Sequence, residues 1–203
     1  MIKFQGSVEG NNYVGYPVEG RITSHFGVRD IAAHSSGHSG VDVAAPEGTE
    51  IKAPCDMTID SIFWEGMDSW KKNFSTIFGN GIIGAIKDSD GDVLGYTIFA
   101  HMQSKPTLNE GDTVSVGDTI GIVGNTGIST GPHLHWGLGG ANNRWMQKSK
   151  GLLNAFDYCS TDTQEPSMPT MVQDKVDSAM AQIDSGQRML MAVIDELMGL
   201  EES

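Results

Sequence analysis

His133 and His135 are the residues whose type and spacing carry the most chemistry in this sequence. They flank Leu134 in the segment GISTGPHLHWGL, where a turn at Gly131 and Pro132 precedes a strand-like run. Residues two apart on a strand project to the same face, so both imidazoles line one wall while Leu134 faces a core. Two adjacent imidazoles can bind a metal ion, move a proton or do both. A surface strand that carries two histidines by chance is the alternative interpretation.

His38 and Asp42 form a second group, in the segment HSGVD. Gly40 within the segment and Gly37 just before it disfavour a helix, so we predict a loop that leads into a strand. Val41 and Val43 are then expected to face the core and Asp42 the opposite side. One carboxylate and two imidazoles form a common catalytic zinc shell, in which three protein ligands leave one position for water. No four-cysteine or Cys/His set in the sequence competes for such a metal.

His101 ends the apolar run that begins at Tyr96, which predicts a position at the mouth of a strand. Taken alone, it would be interpreted as a hydrogen-bonded surface histidine. Beside the two motifs above, a third imidazole that faces the same groove is the better interpretation. For His25 and His34 no functional role is predicted.

These motifs, in this order, resemble the lysostaphin/LytM-type zinc metalloendopeptidases, which cut peptidoglycan peptides. The resemblance runs from about Tyr16 to about Trp145 through PVEGRITSHFGVRD, HSGVDVAAPEGTEIKAP, GNGIIGAIKDSDGDVLGYTIFAHM, NEGDTVSVGDTIGIVGNTG and STGPHLHW. It implies one zinc ion (Zn2+) per chain, held by His38, Asp42 and His135. It also implies that His101 and His133 are catalytic histidines that do not bind the metal. Family members often carry Tyr where this chain has Phe99, so no phenol is expected to act there.

The resemblance implies an enzyme that hydrolyses peptide bonds in the stems or cross-links of bacterial cell-wall peptidoglycan. Zinc would polarise the scissile carbonyl and acidify a water molecule, while His101 and His133 would share the proton transfers. Which histidine acts as the base stays open. The alternative is a non-catalytic binding or assembly module on the same fold, such as a structural component of a phage tail. The presence of all three implied ligands favours the enzyme.

Short β-branched runs between turn signals, from Ile51 to Leu138, predict a mainly β fold. We expect antiparallel sheets that form a groove, similar to a barrel-sandwich hybrid, with a C-terminal helical extension. The run STIFG at 75–79 is counted among the strands. A Gly-Asp-Thr-apolar unit occurs at 111–114 and 117–120 and is interpreted as two hairpin arms of one sheet edge. DSDGD at 88–92 is interpreted as a solvated hairpin turn, because its glycine stands at the wrong position for a calcium loop.

The character of the sequence changes after Tyr158. We predict a peptidase domain over residues 1–160, then a linker and C-terminal helices over residues 161–203. The methionine-rich apolar stripe of these helices packs on its own domain or serves oligomerisation or docking, for example to a phage-tail partner. Charged and polar residues interrupt every apolar stretch, so no membrane span is predicted.

The formal net charge of −13 argues against a nucleic-acid partner. No signal peptide is apparent, although the implied substrate lies outside the cytoplasm. We therefore expect either a fragment of a longer chain or delivery by other means, such as association with a virion. Cys55 and Cys159 can pair or stay free, and the sequence does not decide between the two.

Overall fold

The computed structural model describes residues 1–27, 37–67, 71–146 and 151–160. Its elements are β1 (Phe4–Glu9), β2 (Asn12–Gly15), β3 (Gly20–Ser24), β4 (Val41–Ala44), β5 (Glu50–Lys52), β6 (Met57–Phe63), α1 (Lys72–Phe78), β7 (Asn80–Lys87), β8 (Val93–Met102), β9 (Thr113–Val114), β10 (Thr119–Ile122), β11 (His133–Gly140), β12 (Leu152–Leu153), a 3₁₀ turn (Ala155–Tyr158) and β13 (Cys159–Ser160).

Antiparallel pairing dominates the structure. An 11-stranded sheet runs in the order β13-β1-β2-β3-β4-β11-β8-β7-β6-β9, with β12 paired to β11, and β5 and β10 form a separate two-stranded sheet. Within the described residues, β1 and β13 form a parallel pair and the other strand pairs are antiparallel. The predicted mainly β fold is therefore confirmed.

The central strands β4, β11 and β8 bury one face in the main hydrophobic core. Their register places Val41 opposite Trp136 and Trp136 opposite Phe99, and all three side chains are fully buried. The Trp136 ring lies 5.0 Å from the ring of Phe4 and 6.1 Å from that of Phe156. Residues from both ends of the described chain thus complete the core behind β11.

Helix α1 covers part of the opposite face of the same sheet. Phe74 and Phe78, four residues apart, lie on one side of the helix with ring centroids 4.6 Å from each other, and both pack against a second apolar cluster on this face. The prediction of a strand at STIFG is wrong, because this helical spacing outweighs the preference of Thr76 and Ile77 for strands. The helix ends at Gly79, whose φ of 66° suits a residue without a side chain.

The two Gly-Asp-Thr units lie in different sheets, so their interpretation as arms of one edge is wrong. Strand β9 pairs with β6, whereas β10 pairs with β5. What repeats is the turn before each strand: Asp112 accepts a hydrogen bond from Asn109 N (2.7 Å), and Asp118 accepts one from Ser115 N (2.8 Å). The sequence repeat therefore encodes a local turn rather than a strand partner.

The acidic segment DSDGD joins β7 to β8 as a hairpin turn, which confirms its interpretation. Asp88 Oδ1 accepts hydrogen bonds from the backbone N–H groups of Asp90 (3.0 Å) and Asp92 (2.9 Å). This carboxylate therefore stabilises the turn itself.

The predicted linker and C-terminal helices, residues 161–203, lie outside the described residues, and the domain boundary near residue 160 stays a prediction. Within the described part of the chain, no helix has the length and apolar character needed to cross a membrane. Cys55 and Cys159 are free thiols, and burial raises the pKa of Cys55 to about 12 and that of Cys159 to about 11.

The end of the folded domain can be located with two truncations. A chain that ends at Ser160 keeps β13 and Phe156, whose ring stacks on Tyr13 at 5.3 Å, and should unfold in urea at the same midpoint as the full chain. A chain that ends at Leu153 loses both and should be less stable by about 3 kcal/mol. Equal midpoints for the two truncations would show that the last described turn does not contribute to the core.

Candidate metal centre

Three side-chain donor atoms converge at the end of the central strands. His38 Nε2 lies 3.1 Å from His135 Nδ1 and 3.1 Å from Asp42 Oδ1, and His135 Nδ1 lies 3.0 Å from the same oxygen. Asp42 and His135 face each other in the register of β4 and β11, which places both side chains on one face of the sheet. His38 reaches the pair from the segment that leads into β4.

His38 is held by the chain just after β3. Its Nδ1 lies 3.0 Å from the carbonyl oxygen of His25, and because a carbonyl only accepts, Nδ1 carries the proton and donates it. The Ser24 hydroxyl oxygen lies 3.0 Å from the same nitrogen. These contacts leave the lone pair of His38 on Nε2, which points at Asp42 and His135.

His135 is buried, and its ring lies beside Gly40 in the segment that leads into β4. A side chain on Gly40 would place its Cβ 2.9 Å from His135 Nε2 and 2.4 Å from the Trp136 carbonyl oxygen, so only glycine fits at this position. Burial lowers the pKa of His135, although Asp42 opposes this effect. In the described residues His135 Nε2 has no hydrogen-bond partner, so Nδ1 is the nitrogen of this ring that faces other donors.

Asp42 carries the negative charge of the centre. Burial alone would raise the pKa of its carboxyl group, but the neighbouring imidazoles of His135 and His38 outweigh burial and hold the pKa well below its usual range. Asp42 is therefore ionised at neutral pH. A buried carboxylate with two imidazole nitrogens at hydrogen-bond distance forms a site for a proton or a cation.

The geometry of the three atoms fits a metal ion. Tetrahedral zinc with bonds of 2.0–2.1 Å separates its ligand atoms by about 3.3 Å, close to the separations seen here. Lone pairs this close repel one another unless a positive charge lies between them. Among the described residues, His38, Asp42 and His135 are the one group of His, Cys, Asp or Glu side chains that lie close enough to share a metal ion.

His133 lies beside this centre on the same face of β11. Its Nδ1 donates a hydrogen bond to the Gly131 carbonyl oxygen (2.8 Å), and the Ser129 hydroxyl oxygen lies 3.2 Å away. Its Nε2 is 3.7 Å from Asp42 Oδ1. His133 thus directs an unprotonated nitrogen toward the centre without being one of the three converging donors.

His101 reaches the same place through an irregularity of β8. Between the pairs Ile82–Phe99 and Asn80–Met102, β8 has one residue more than β7, which is a β-bulge. His101 has a φ of 60°, in the left-handed region that side-chain-bearing residues rarely adopt. Regular alternation would place its side chain with Phe99 on the core face, but the bulge turns the ring to the other face.

The ring of His101 contacts the other histidines of the site. Its centroid lies 4.6 Å from that of His133 and 6.0 Å from that of His135. His101 Nδ1 donates a hydrogen bond to the Thr126 carbonyl oxygen at 2.7 Å, which leaves the lone pair on Nε2. Burial lowers the pKa of His101 to about 4, so the ring is neutral at neutral pH.

A pocket gives solvent access to one side of the centre. It opens beside Asp42 and His133, and Ser24, Thr130 and Pro132 form other parts of its wall. Apart from Asp42 and His133, the residues around it are small or carry short hydroxyl side chains. An extended peptide could therefore approach Asp42 and His133 along this wall.

The structure brings together the five residues predicted from the motifs: His38, Asp42, His101, His133 and His135. The division between metal ligands and catalytic histidines stays a prediction. Phe99 lies on the core face, so no phenol replaces it at the site. The side chain of His25 is exposed, and His34 lies outside the described residues.

Sequence reasoning missed the residues that orient the imidazoles. The hydroxyl oxygens of Ser24 and Ser129 contact Nδ1 of His38 and of His133, respectively. The carbonyl oxygen of Thr126 contacts Nδ1 of His101. All three histidines keep their lone pairs on Nε2. Serine and threonine are common in loops, and their spacing gives no signal. The glycine in HSGVD could have been recognised as a position of close packing.

Similarity to known proteins extends over the greater part of the chain. Residues 36–147 match the model of Peptidase family M23. The chain is 37% identical over 118 residues to the DD-carboxypeptidase/endopeptidase Mpg of Neisseria meningitidis, which covers 57% of this chain and 24% of that protein. It is 31% identical over 119 residues to the peptidoglycan DD-endopeptidase ShyC of Vibrio cholerae, and this match covers 57% of this chain and 24% of that protein. It thus spans about a quarter of the length of these relatives.

A similar fold is found among solved structures. The catalytic domain of the antimicrobial peptidase lysostaphin from Staphylococcus simulans superposes with a TM-score of 0.54 at 25% sequence identity. The match covers 68% of this chain and 90% of that domain.

The strain at His101 predicts an unusual order of stability for two substitutions. Inside a strand, a protein with glycine is normally less stable than one with alanine. At φ 60°, however, alanine has a steric clash that glycine does not have. His101→Gly should therefore be more stable than His101→Ala by about 1 kcal/mol. Urea unfolding with a chelator present removes metal binding from the comparison. The opposite order would mean that this position is an ordinary strand residue in solution.

Proposed function

The chain belongs to peptidase family M23, and we propose that it is a zinc-dependent endopeptidase that hydrolyses peptide bonds in bacterial peptidoglycan. The observation that carries the proposal is the convergence of His38 Nε2, Asp42 Oδ1 and His135 Nδ1 within 3.1 Å of one another, beside two further imidazoles. Family membership supports the class of enzyme, and the donor atoms support the metal.

The donor set favours zinc over the common alkaline-earth ions. Calcium and magnesium prefer oxygen ligands, whereas two imidazole nitrogens with one carboxylate occur in catalytic zinc sites. We propose that His38, Asp42 and His135 hold one ion per chain. When bound, zinc supplies a Lewis acid that polarises the scissile carbonyl and lowers the pKa of a water molecule.

His101 and His133 are proposed to handle the protons. Each donates its Nδ1 proton to a backbone carbonyl, so that Nε2 is free to accept a proton from water or to contact the developing oxyanion. The low pKa of His101 keeps its ring neutral and able to accept. After the peptide bond breaks, the protonated imidazole would return its proton to the leaving amine. Which of the two rings takes each step stays open.

The proposed substrate is inferred from the relatives. Mpg is named a DD-carboxypeptidase/endopeptidase and ShyC a peptidoglycan DD-endopeptidase. All five site residues lie within residues 36–147, the region that matches the family model. Action on the cell wall places the activity outside the cytoplasm. Because the net charge is −13, we expect the groove rather than long-range attraction to provide binding to an anionic wall. Delivery by a phage particle, and an oligomer or phage-tail partner for residues 161–203, stay predictions.

A non-catalytic binding or assembly module on this fold is the alternative. Such a module would need no convergence of unprotonated nitrogens on a buried carboxylate. A purified chain that binds peptidoglycan but releases no fragments, even with a full equivalent of zinc, would favour this alternative.

Metal content tests the ligand assignment. His38→Ala removes one of three donors and should reduce zinc from one equivalent per chain to a small fraction, measured by elemental analysis after dialysis. His25→Ala is the matched control, because its side chain is exposed and only its backbone carbonyl contacts His38. A full equivalent of zinc in His38→Ala would show that the ligands are assigned wrongly.

Activity measurements separate ligands from catalytic groups. His101→Ala and His133→Ala should keep one equivalent of zinc but lose about 100-fold or more in release of dye-labelled peptidoglycan fragments, because each removes a proton carrier. Loss of zinc in either variant would mean that the roles of ligand and catalyst are exchanged.

A further inference from the structure

The segment from Asn125 to Gly131, called here the 125–131 loop, contacts both proposed proton carriers. The Thr126 carbonyl accepts the Nδ1 proton of His101 at 2.7 Å, and the Gly131 carbonyl accepts that of His133 at 2.8 Å. A single loop therefore determines which nitrogen of each ring carries the proton.

Thr126 is attached to the bulge by its side chain as well as by its carbonyl. Its hydroxyl donates to the carbonyl oxygen of Met102, the residue after His101, at 2.7 Å. The same hydroxyl accepts the backbone N–H of Asn80 at 3.0 Å, and Asn80 is the residue of β7 that pairs with Met102. Thr126 thus fixes the ring of His101 and, at one end of the bulge, the backbones of both β7 and β8.

Further contacts hold the loop on the end of α1 and β6. Gly127 N donates to Glu65 Oε1 at 2.8 Å, and Ile128 N donates to the Ile77 carbonyl at 2.9 Å. A Cβ on Gly127 would lie 2.3 Å from Gly79 N, so the two backbones touch at a distance that only glycine permits. The loop is therefore anchored at several points near the Thr126 contact.

The bulge explains why His101 needs this support. A side chain in a regular strand is oriented by its neighbours across the sheet, but His101 has left the alternation of β8 and has φ 60°. Its ring orientation must then come from outside the sheet. Among the described residues, the hydrogen bond to Thr126 is the one that we find for the His101 ring.

Resting on the proposed function, we propose that Thr126 is a positioning residue of the reaction. Through its hydroxyl it fixes the backbone of the 125–131 loop, and through its carbonyl it selects the Nδ1–H tautomer of His101. Nε2 of His101 is then unprotonated and faces the substrate. Thr126 is not one of the three proposed metal ligands and does not line the pocket beside Asp42.

Two substitutions of Thr126 separate the hydroxyl from the rest of the side chain. Thr126→Val keeps the shape but removes both hydroxyl hydrogen bonds, and Thr126→Ser keeps them. We expect Thr126→Val to lower kcat by about 10- to 100-fold on a soluble cross-linked muropeptide dimer, with KM within about twofold and zinc content unchanged. Thr126→Ser should restore kcat. Thr113→Val, at an exposed position of β9, is the matched control and should behave like the unsubstituted chain.

A second measurement does not depend on activity. The ¹⁵N resonances of the His101 ring in the full-length chain should show the Nδ1–H tautomer, and Thr126→Val should shift them toward a mixture. If the unsubstituted chain has no activity, the proposed function fails, but the ring resonances still decide the role of Thr126. Unchanged resonances and unchanged kcat in Thr126→Val would overturn the proposal, as would equal loss in Thr126→Ser.

Glu65 provides an independent variant in case Thr126→Val does not fold. Its side chain is exposed, and Glu65→Ala removes the acceptor of Gly127 N while Glu65→Gln keeps an oxygen at that place. Glu65→Ala should lower kcat several-fold and shift the same ring resonances, and Glu65→Gln should do neither. If Glu65→Ala has the kcat and the His101 ring resonances of the unsubstituted chain, the 125–131 loop does not need its contact with Glu65.

Discussion

The cross-strand register that pairs Asp42 with His135 is the constraint on which the site depends. In this register, Val41 and Trp136 meet on the opposite face, where both are fully buried. A slip of one residue would exchange the two faces of β4 and place valines where the donors now stand. Such a slip would also expose the apolar residues, so the hydrophobic core enforces the geometry of the site. Stability and donor placement are therefore encoded by the same pairing.

Without a bound cation, the buried groups of the centre lower the stability of the fold. Asp42 is 8% exposed and has two imidazole nitrogens within 3.1 Å of its Oδ1, and His135 Nε2 is a buried nitrogen without a hydrogen-bond partner in the described residues. Burying such groups lowers stability unless they are paired. A metal ion would replace mutual repulsion among the lone pairs by attraction, so metal binding and folding are expected to stabilise each other. This arrangement of the three donors is consistent with the proposed metal site.

Features with a regular period can be predicted from the sequence, whereas features that arise from contacts between distant segments cannot. The i, i+2 histidines of β11 and the alternation around Asp42 are local signals of a strand, and the structure confirms both strands. The helix at 72–78 could not be predicted, because Thr76 and Ile77 favour strands. The contacts that favour a helix are those of Phe74 and Phe78 with an apolar cluster whose residues are far away in sequence. The bulge at His101 and its support by Thr126 have no local signature, since they arise from the meeting of β7, β8 and the 125–131 loop.

The irregular placement of His101 has a consequence for the open position of the proposed zinc site. The residue of β8 directly opposite His135 is Ala100, and a histidine there would stand beside the ligands at the distance of a cross-strand pair. It could then act as a fourth ligand and close the position that a catalytic zinc site leaves for water. The bulge moves the imidazole one residue along and turns it, so that its ring lies 6.0 Å from that of His135 and 4.6 Å from that of His133. Regular strands therefore suit the proposed ligands, whose separations must be fixed, whereas a strained residue held by a loop suits the proposed proton carrier, which would have to stay near a bound metal without binding it.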